Sequence, residues 1–350
     1  MFFKSKTIVA IFFRALLVLL IIAVLGLGYA WVSFQQWLTT PLTIAGESYS
    51  YELESGKSIS FLAHDLASKK ILTHPRWLGW YARYRQQEKI HTGEYLLERG
   101  ITPLQLLQKL NNGEVVLHQV TFLEGWTFRQ IITALHAQPE LQQLLANKNH
   151  AEQLALLNLP ISHLEGWFYP DTYTFSKGAT DVELLTQAYK AMRKVLDQAW
   201  AEKDLNLPYS NAYQALIMAS IVEKETGSAA ERQQIAGVFV RRLQLGMKLQ
   251  TDPTVIYGMG DIYIGKIGKD DLMRPTPYNT YVIDGLPPTP IAIPGKASLY
   301  AALHPADGKA LYFVAKGDGT SEFSNTLLEH QRATERYQLQ RRSDYRSTPK

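Results

Sequence analysis

The residues Ala215-Leu216-Ile217-Met218-Ala219-Ser220-Ile221-Val222-Glu223-Lys224-Glu225-Thr226 decide how the chain is read. Their apolar positions carry helical periodicity, and the run ends in two carboxylates. Each helical residue advances by about 100°, so Glu223 and Glu225 point in nearly opposite directions. Glu225 shares its face with Met218, Ile221, Val222 and Ala229, the neighbours one and two turns away. Glu223 falls beside Leu216, Ala219, Ser220, Thr226 and Ala230, a smaller and more polar set. Apolar surroundings disfavour the charged carboxylate and raise its pKa, which is what a general acid needs at neutral pH. Glu225 is the expected acid of the pair.

Further along lies Gly246-Met247-Lys248-Leu249-Gln250-Thr251-Asp252-Pro253-Thr254-Val255-Ile256-Tyr257-Gly258-Met259-Gly260. Hydroxyls, an amide and a carboxylate surround a proline there, and a flexible turn closes the stretch. Pro275-Thr276-Pro277-Tyr278-Asn279-Thr280-Tyr281 and Gly285-Leu286-Pro287-Pro288 follow. Such loops suit a sugar: flat rings meet its apolar face and short polar groups meet its hydroxyls. Ordinary turn chemistry in a rigid loop cluster explains the same composition. The residues alone leave both readings open.

Ser220 to Thr226, Leu249 to Gly258, Tyr278 to Tyr281 and Gly285 to Pro288 closely resemble the endolytic murein transglycosylases, membrane-anchored bacterial enzymes that cut nascent peptidoglycan strands. The aromatic loop Leu164-Glu165-Gly166-Trp167-Phe168-Tyr169-Pro170-Asp171-Thr172-Tyr173 fits the same pattern. The resemblance covers essentially the whole chain after its N-terminal apolar run. It implies that Glu225, the second carboxylate of Glu-Lys-Glu-Thr, is the essential acid/base, the residue that the rotational argument selects independently. Glu225 would protonate the glycosidic oxygen between N-acetylmuramic acid and N-acetylglucosamine, then act as base on the muramic 6-hydroxyl. The product would be a 1,6-anhydro ring, and strand elongation would end there. This differs from hydrolases that use two carboxylates.

The resemblance also places Gln250, Thr251, Asp252, Tyr257, Tyr278, Asn279 and Tyr281 along the substrate groove. Trp167 and Tyr169 are candidates for a sugar floor, and Glu165 and Asp171 for bonds to its hydroxyls; Trp167 reads equally well as a core anchor. No cofactor and no metal is implied. The implied partners are peptidoglycan glycan strands, the cytoplasmic membrane and peptidoglycan synthases. Two alternatives stay open: a hydrolytic muramidase in which Asp252 positions a water for Glu225, and a non-enzymatic wall-binding scaffold.

The 350 residues leave room for two soluble domains and an anchor. Charged residues at 19% and hydrophobic residues at 46% describe a globular protein. A net charge of +4 without a dense Lys/Arg patch gives no footprint for nucleic acid. The chain has no cysteine, which removes thiol catalysis, disulfides and the common zinc sites and suits an oxidising compartment. It lacks His-Glu-x-x-His, a Walker loop and Gly-x-Ser-x-Gly, which sets aside the chemistries those motifs carry.

Residues 1–40 read as a cytoplasmic N-terminus and a single-pass anchor. Lys4, Lys6 and Arg14 precede Ala15 to Val32, an apolar run long enough to cross a bilayer. The basic flank predicts that the N-terminus faces the cytoplasm and the rest the periplasm. Tyr29, Trp31 and Trp37 would form an aromatic belt on the far side. A cleaved signal peptide fits less well, because the apolar core runs on past the weak Gly28-Tyr29-Ala30 pattern.

Residues 41–120 read as a small α+β domain. Ser48 to Leu53 alternates like a strand, Glu54 to Lys57 turns, and Ser58 caps a helix that buries Ile59, Leu62, Ala63 and Leu66. That unit resembles a LysM-type glycan-binding module. Thr102-Pro103 opens another helix, ending near Gly113. Trp77, Trp80, Tyr81 and Tyr84 fall at helical spacing, a stripe that reads as core before it reads as a sugar platform.

Residues 121–340 read as the catalytic domain, with helices from Thr127, over Thr180 to Trp200 and over Arg232 to Leu245. Pro287 to Pro294 is expected to wall the groove and Ser298 to cap a short helix. Leu311 to Ala315 and Glu322 to Ser324 should form a hairpin, and Thr326 with Glu329 should box the last helix. His330 on that helix could be catalytic, but a lone histidine on a terminal helix reads first as structural, and residues 341–350 form a polar tail. The expected architecture is α+β: one transmembrane helix, a small LysM-like α+β domain and a larger α+β catalytic domain.

Overall fold

A computed structural model describes residues 3–54, 56–225 and 228–339, with side chains from Phe13 onward. The chain divides into two units, Met1–His118 with Ser176–Gly178, and Gln119–Phe175 with Ala179–Lys350.

The first unit begins with α1 (Phe3–Thr39), one continuous helix. Its stretch Phe13–Thr39, with a mean hydropathy of 2.6, is long and apolar enough to cross a membrane. Large apolar side chains from Phe13 to Val32 are exposed, whereas Phe34, Trp37 and Leu38 are buried in the core of the unit. Then come β1 (Ser48–Leu53), α2 (Ile59–Ser68), α3 (Pro75–Tyr84), β2 (Gly93–Glu98) and α4 (Pro103–Asn112). β1 and β2 are antiparallel with Tyr51 opposite Tyr95. Tyr51, Leu53, Tyr95 and Leu97 all turn inward, as the two-residue period of a strand requires.

The caps behave as their residue types dictate. Ser58 accepts from Phe61 N–H at 3.2 Å to start α2, and Ile59, Leu62, Ala63 and Leu66 are buried along it. Thr102 and Gln105 form a capping box on α4, which ends at Gly113 with φ +66°, a left-handed cap that glycine adopts freely. The aromatic stripe of α3 divides. Trp77 and Tyr81 are half-buried, while Trp80 and Tyr84 are 54% and 69% exposed, so only half of it serves the core.

β3 (Leu117–Thr121), which begins in the last residues of the first unit, leads to α5 (Phe128–His136), α6 (His150–Leu157), β4 (Thr172–Ser176) and α7 (Asp181–Ala201). Next are α8 (Ala212–Glu225), α9 (Arg232–Gln244), α10 (Asp252–Met259), α11 (Lys269–Met273) and α12 (Lys296–Leu303). The hairpin β5 (Tyr312–Ala315) and β6 (Ser321–Ser324) precedes α13 (Leu327–Thr334). Every residue of α8 from Ala215 to Val222 is buried, because a helix that is apolar all round needs cover on every side. α7, α9 and α12 pack against it.

Three expectations change here. Asp252-Pro253 opens a helix, not a loop: proline tolerates the first turn, and a carboxylate there complements the helix dipole. Of Pro287 to Pro294 only the start walls a groove: Pro287 and the exposed Pro288 line a cavity of about 460 Å³, whereas Pro290 to Pro294 are all buried in the core, with Ile293 N–H bound to Trp126 O at 2.7 Å. Ser298 lies inside α12, fully buried, and Gly295 is the cap.

Candidate active site

α8 sends three consecutive polar side chains to three different places. Glu223 Oε2 accepts from Gly295 N–H, at the cap of α12, at 2.9 Å. Lys224 Nζ donates to Gly125 O at 3.2 Å. Glu225 Oε1 accepts from the Thr251 hydroxyl. The carboxylates diverge as the helical rotation of about 100° per residue demands. Ala229 and Ala230 extend neither face, however: α8 ends at Glu225, and Ser228 to Ala230 are not helical. Thr226 lies outside the described residues.

Thr251 is locked before it reaches Glu225. Its N–H donates to Thr280 Oγ1 at 3.0 Å, and Thr254 Oγ1 donates to Thr251 O at 2.7 Å. The Thr254 and Thr280 hydroxyls are 2.8 Å apart, and all three threonines are buried. Thr251 occupies the cap position of α10 without capping it, which leaves the hydroxyl for Glu225. Gln250, at φ +52°, donates its N–H to Thr280 O at 3.1 Å. The buried Arg242 holds the same segment through Leu249 O at 2.9 Å and Gln250 Oε1 at 3.3 Å.

Glu225 is half-buried and lines a cavity of about 370 Å³ together with Gln250, Asp252, Tyr281, Arg242 and Tyr312. Desolvation, the largest influence, pushes its pKa up to about 7; the Thr251 hydroxyl pulls it down, and the negative charge of Asp252 pushes it up. Asp252 is exposed and accepts from the Tyr281 hydroxyl at 2.7 Å. A carboxyl poised near neutrality can both give and retake a proton.

The other expected groove residues divide. Tyr257 and Tyr278 line a separate cavity of about 720 Å³, with ring centroids 4.8 Å apart. The Tyr257 hydroxyl donates to Glu165 Oε2 at 3.0 Å, and Phe128 N–H donates to Oε1 at 2.9 Å. Glu165 is 8% exposed, and burial pushes its pKa up to about 7. Each of its oxygens thus already accepts one bond from the protein, and the side chain also lines the 720 Å³ cavity. Asn279 is fully buried and donates to the carbonyls of Asp271, Leu272 and Arg274 at 3.2, 3.1 and 2.8 Å. It ties a loop together and presents nothing to a groove.

Trp167 is a core residue, stacked on Tyr213 at 5.4 Å. Tyr169 is half-buried, and Asp171 Oδ1 accepts from Thr172 N–H at 2.7 Å. His330 departs from its expectation in the other direction. It lines the Glu225 cavity, stacks on Tyr312 at 5.1 Å, and buries Nδ1 without a hydrogen-bond partner. No local pattern marks it, because α13 reaches the cavity only through tertiary packing. Among the described residues no cluster of three His, Cys, Asp or Glu side chains is placed to hold a metal ion.

One near-neutral carboxyl, a fixed hydroxyl donor, a neighbouring carboxylate and aromatic walls are the equipment of an acid/base enzyme acting on a polar substrate. A profile of the YceG-like family matches residues 51–336, and the chain belongs to that family. The endolytic murein transglycosylase of Bacillus subtilis (strain 168) is 33% identical over a 303-position alignment that covers 81% of this chain and 83% of that protein. The protein of that name from Streptococcus pneumoniae (serotype 2, strain D39) is 27% identical over 90% of this chain, and the match covers 63% of its own length. The crystal structure of a YceG-like protein from Listeria monocytogenes is 32% identical with a TM-score of 0.50, covering 82% of this chain and 99% of that one.

Proposed function

We propose that the chain is a membrane-anchored lytic transglycosylase that cuts peptidoglycan glycan strands internally, with Glu225 as its acid/base. The observation that carries this reading is Glu225 itself: a half-buried carboxyl with a pKa of about 7, bonded by Thr251, facing a cavity large enough for part of a sugar. The names of the Bacillus and Streptococcus relatives support the same substrate. Protonated Glu225 gives its proton to the glycosidic oxygen as the bond to C1 of N-acetylmuramic acid breaks. The carboxylate then takes the proton of the 6-hydroxyl as that oxygen bonds to C1. No water is consumed, and a tethered nucleophile avoids the entropic cost of recruiting one.

Gln250, Asp252 and Tyr281 face the reacting sugar beside Glu225, and Tyr257 and Tyr278 contact the strand farther along. α1 crosses the cytoplasmic membrane with its N-terminus inside, which leaves both units in the periplasm, within reach of peptidoglycan synthases. The β1–α2 segment supports residues 41–120 as a LysM-like glycan-binding domain, with residues 121–340 as the catalytic domain. A digest of purified glycan strands tests the chemistry. Internal cleavage shortens long strands before small fragments accumulate, and each new end is one water lighter than a hydrolysed end and resists borohydride.

A second reading, a hydrolytic muramidase, draws on one observation: Asp252 is a second carboxylate in the Glu225 cavity. Chiefly reducible, hydrated ends would select it.

A further inference from the structure

In the first unit, aromatic contacts show which way α3 runs along α1. Trp37 Nε1 donates to Thr73 O, just before α3, at 2.8 Å. Trp77 meets both Trp37 and Phe34, with centroids 5.5 and 5.6 Å away. Trp80 and Tyr81, farther along α3, meet Phe34 at 5.5 and 5.8 Å. As α3 advances its ring contacts pass from Trp37 and Phe34 to Phe34 alone, so its second half lies on the side of the exposed apolar part of α1. Tyr84, stacked on Trp80 at 5.8 Å with the rings 9° from parallel, lies one turn farther in that direction.

The exposed apolar run of α1 from Phe13 to Val32 is about 30 Å long, one hydrocarbon thickness. Phe34, level with Trp80, sits about 3 Å beyond its end. Headgroups extend roughly 5–8 Å past the hydrocarbon on each side, so Trp80 falls at their depth and Tyr84, one turn nearer the acyl chains, at their inner boundary. Arg76 and Arg83 occupy the same stripe, four residues before and three after Trp80, and both are exposed. Arg83 makes a solvent-facing ion pair with Glu88 at 3.2 Å, which is easily exchanged for another anion. Tryptophan and tyrosine prefer the membrane interface, and guanidinium groups match phosphate.

We propose that the α3 stripe of Arg76, Trp80, Arg83 and Tyr84 lies in the phospholipid headgroup layer of the bilayer that α1 crosses. The rings sit among the glycerol and carbonyl groups, and the two arginines bind lipid phosphates. The first unit is then seated on the membrane by two elements instead of hanging from one, which fixes its height and tilt. The proposal rests on the reading of α1 as a membrane span, and its test separates the two.

Because the chain lacks cysteine, single labels are clean. The full chain carrying Leu20→Cys or Tyr84→Cys is labelled with a small fluorophore and reconstituted in vesicles of phosphatidylethanolamine and phosphatidylglycerol. Nitroxide lipids, spin-labelled either in the acyl chain or on the headgroup, serve as quenchers. The expected result is quenching of the Leu20→Cys label by chain nitroxides and of the Tyr84→Cys label by headgroup nitroxides, the latter at least about twofold for a probe at headgroup depth. Adding Arg76→Glu and Arg83→Glu should return the Tyr84→Cys label toward its unquenched level. A quenched Leu20→Cys label with an unquenched Tyr84→Cys label overturns the proposal while leaving the anchor intact. An unquenched Leu20→Cys label removes the anchor, and the proposal with it.

Discussion

The hydroxyl of Thr251, which opens α10, donates to Oε1 of Glu225, which closes α8. One helix end thus carries the candidate acid and another sets how tightly that carboxyl holds its proton. A hydrogen bond to the charged form favours it, so Thr251 offsets part of the desolvation that raises the Glu225 pKa.

Thr251→Val should therefore raise the Glu225 pKa further. The alkaline limb of the pH–rate profile is expected to move up by a few tenths to about one unit. Activity at the optimum should fall roughly tenfold, the worth of one aligned hydrogen bond. The Thr280 bond is made by the Thr251 backbone N–H and survives, so stability should change by no more than about 1–2 kcal/mol. A limb that moves down contradicts the role given to Thr251.

Glu225→Gln should reduce strand cleavage by about 10²-fold or more, while Glu223→Gln, which alters the Gly295 contact, keeps much more activity. In the native enzyme, cleavage should decline as pH rises through about 7, where Glu225 loses its proton. The folded pKa exceeds the ordinary 4.5, so ionising Glu225 lowers stability above that value. The Gln variant should consequently be no less stable than the native chain at pH 8 in a thermal melt. Equal inactivation of both variants would refute the divergence of the two carboxylates as the basis of function.

Glu165 gives a prediction about the fold alone. Its folded pKa of about 7 also lies above 4.5, so the native state binds more protons between those values and loses stability as pH rises through them. Glutamine can accept from Phe128 N–H, and the Tyr257 hydroxyl can reorient to accept from its amide. Glu165→Gln should thus be more stable than the native chain at pH 8, by about 1–3 kcal/mol. The gap should close as pH falls below about 4.5. Denaturant titrations at three pH values would show it, and a gap that widens in acid would disprove the assignment.

Much of the fold was legible because its signals are local. Ser58, Thr102, Thr127, Thr180 and Thr326 each accept from the N–H three residues on, and each begins a helix where its residue type demands one. Glu225 was legible because a wholly buried run leaves its first carboxylates at the rim. What was not legible depends on where elements meet. Asp252 and Tyr257 are close in sequence, yet five helical residues rotate them about 140° apart. They accordingly face different cavities. Asn279 looks like a sugar ligand until its three carbonyl partners are seen. His330 carries no signal of its own and acquires a place in the site only through the packing of α13.

The last prediction turns on Asp252, whose charge raises the Glu225 pKa. Asp252→Asn removes that charge, so the alkaline limb should move down, opposite to Thr251→Val. In the transglycosylase mechanism Asp252 is a neighbour of the acid and not a reactant. The variant should then keep most of its activity below pH 6, within roughly tenfold, and its products should still carry 1,6-anhydro ends. In the hydrolytic mechanism Asp252 positions the attacking water, and its loss should cost about 10²-fold or more at every pH. Because Tyr281 holds Asp252 at 2.7 Å, Tyr281→Phe should release the carboxylate without removing its charge. That variant tells position from charge: a water-positioning Asp252 loses its aim and much of its rate, whereas an electrostatic one keeps the limb near its native place. A rate collapse in both variants, with hydrated product ends, would assign Asp252 to the chemistry and the enzyme to hydrolysis.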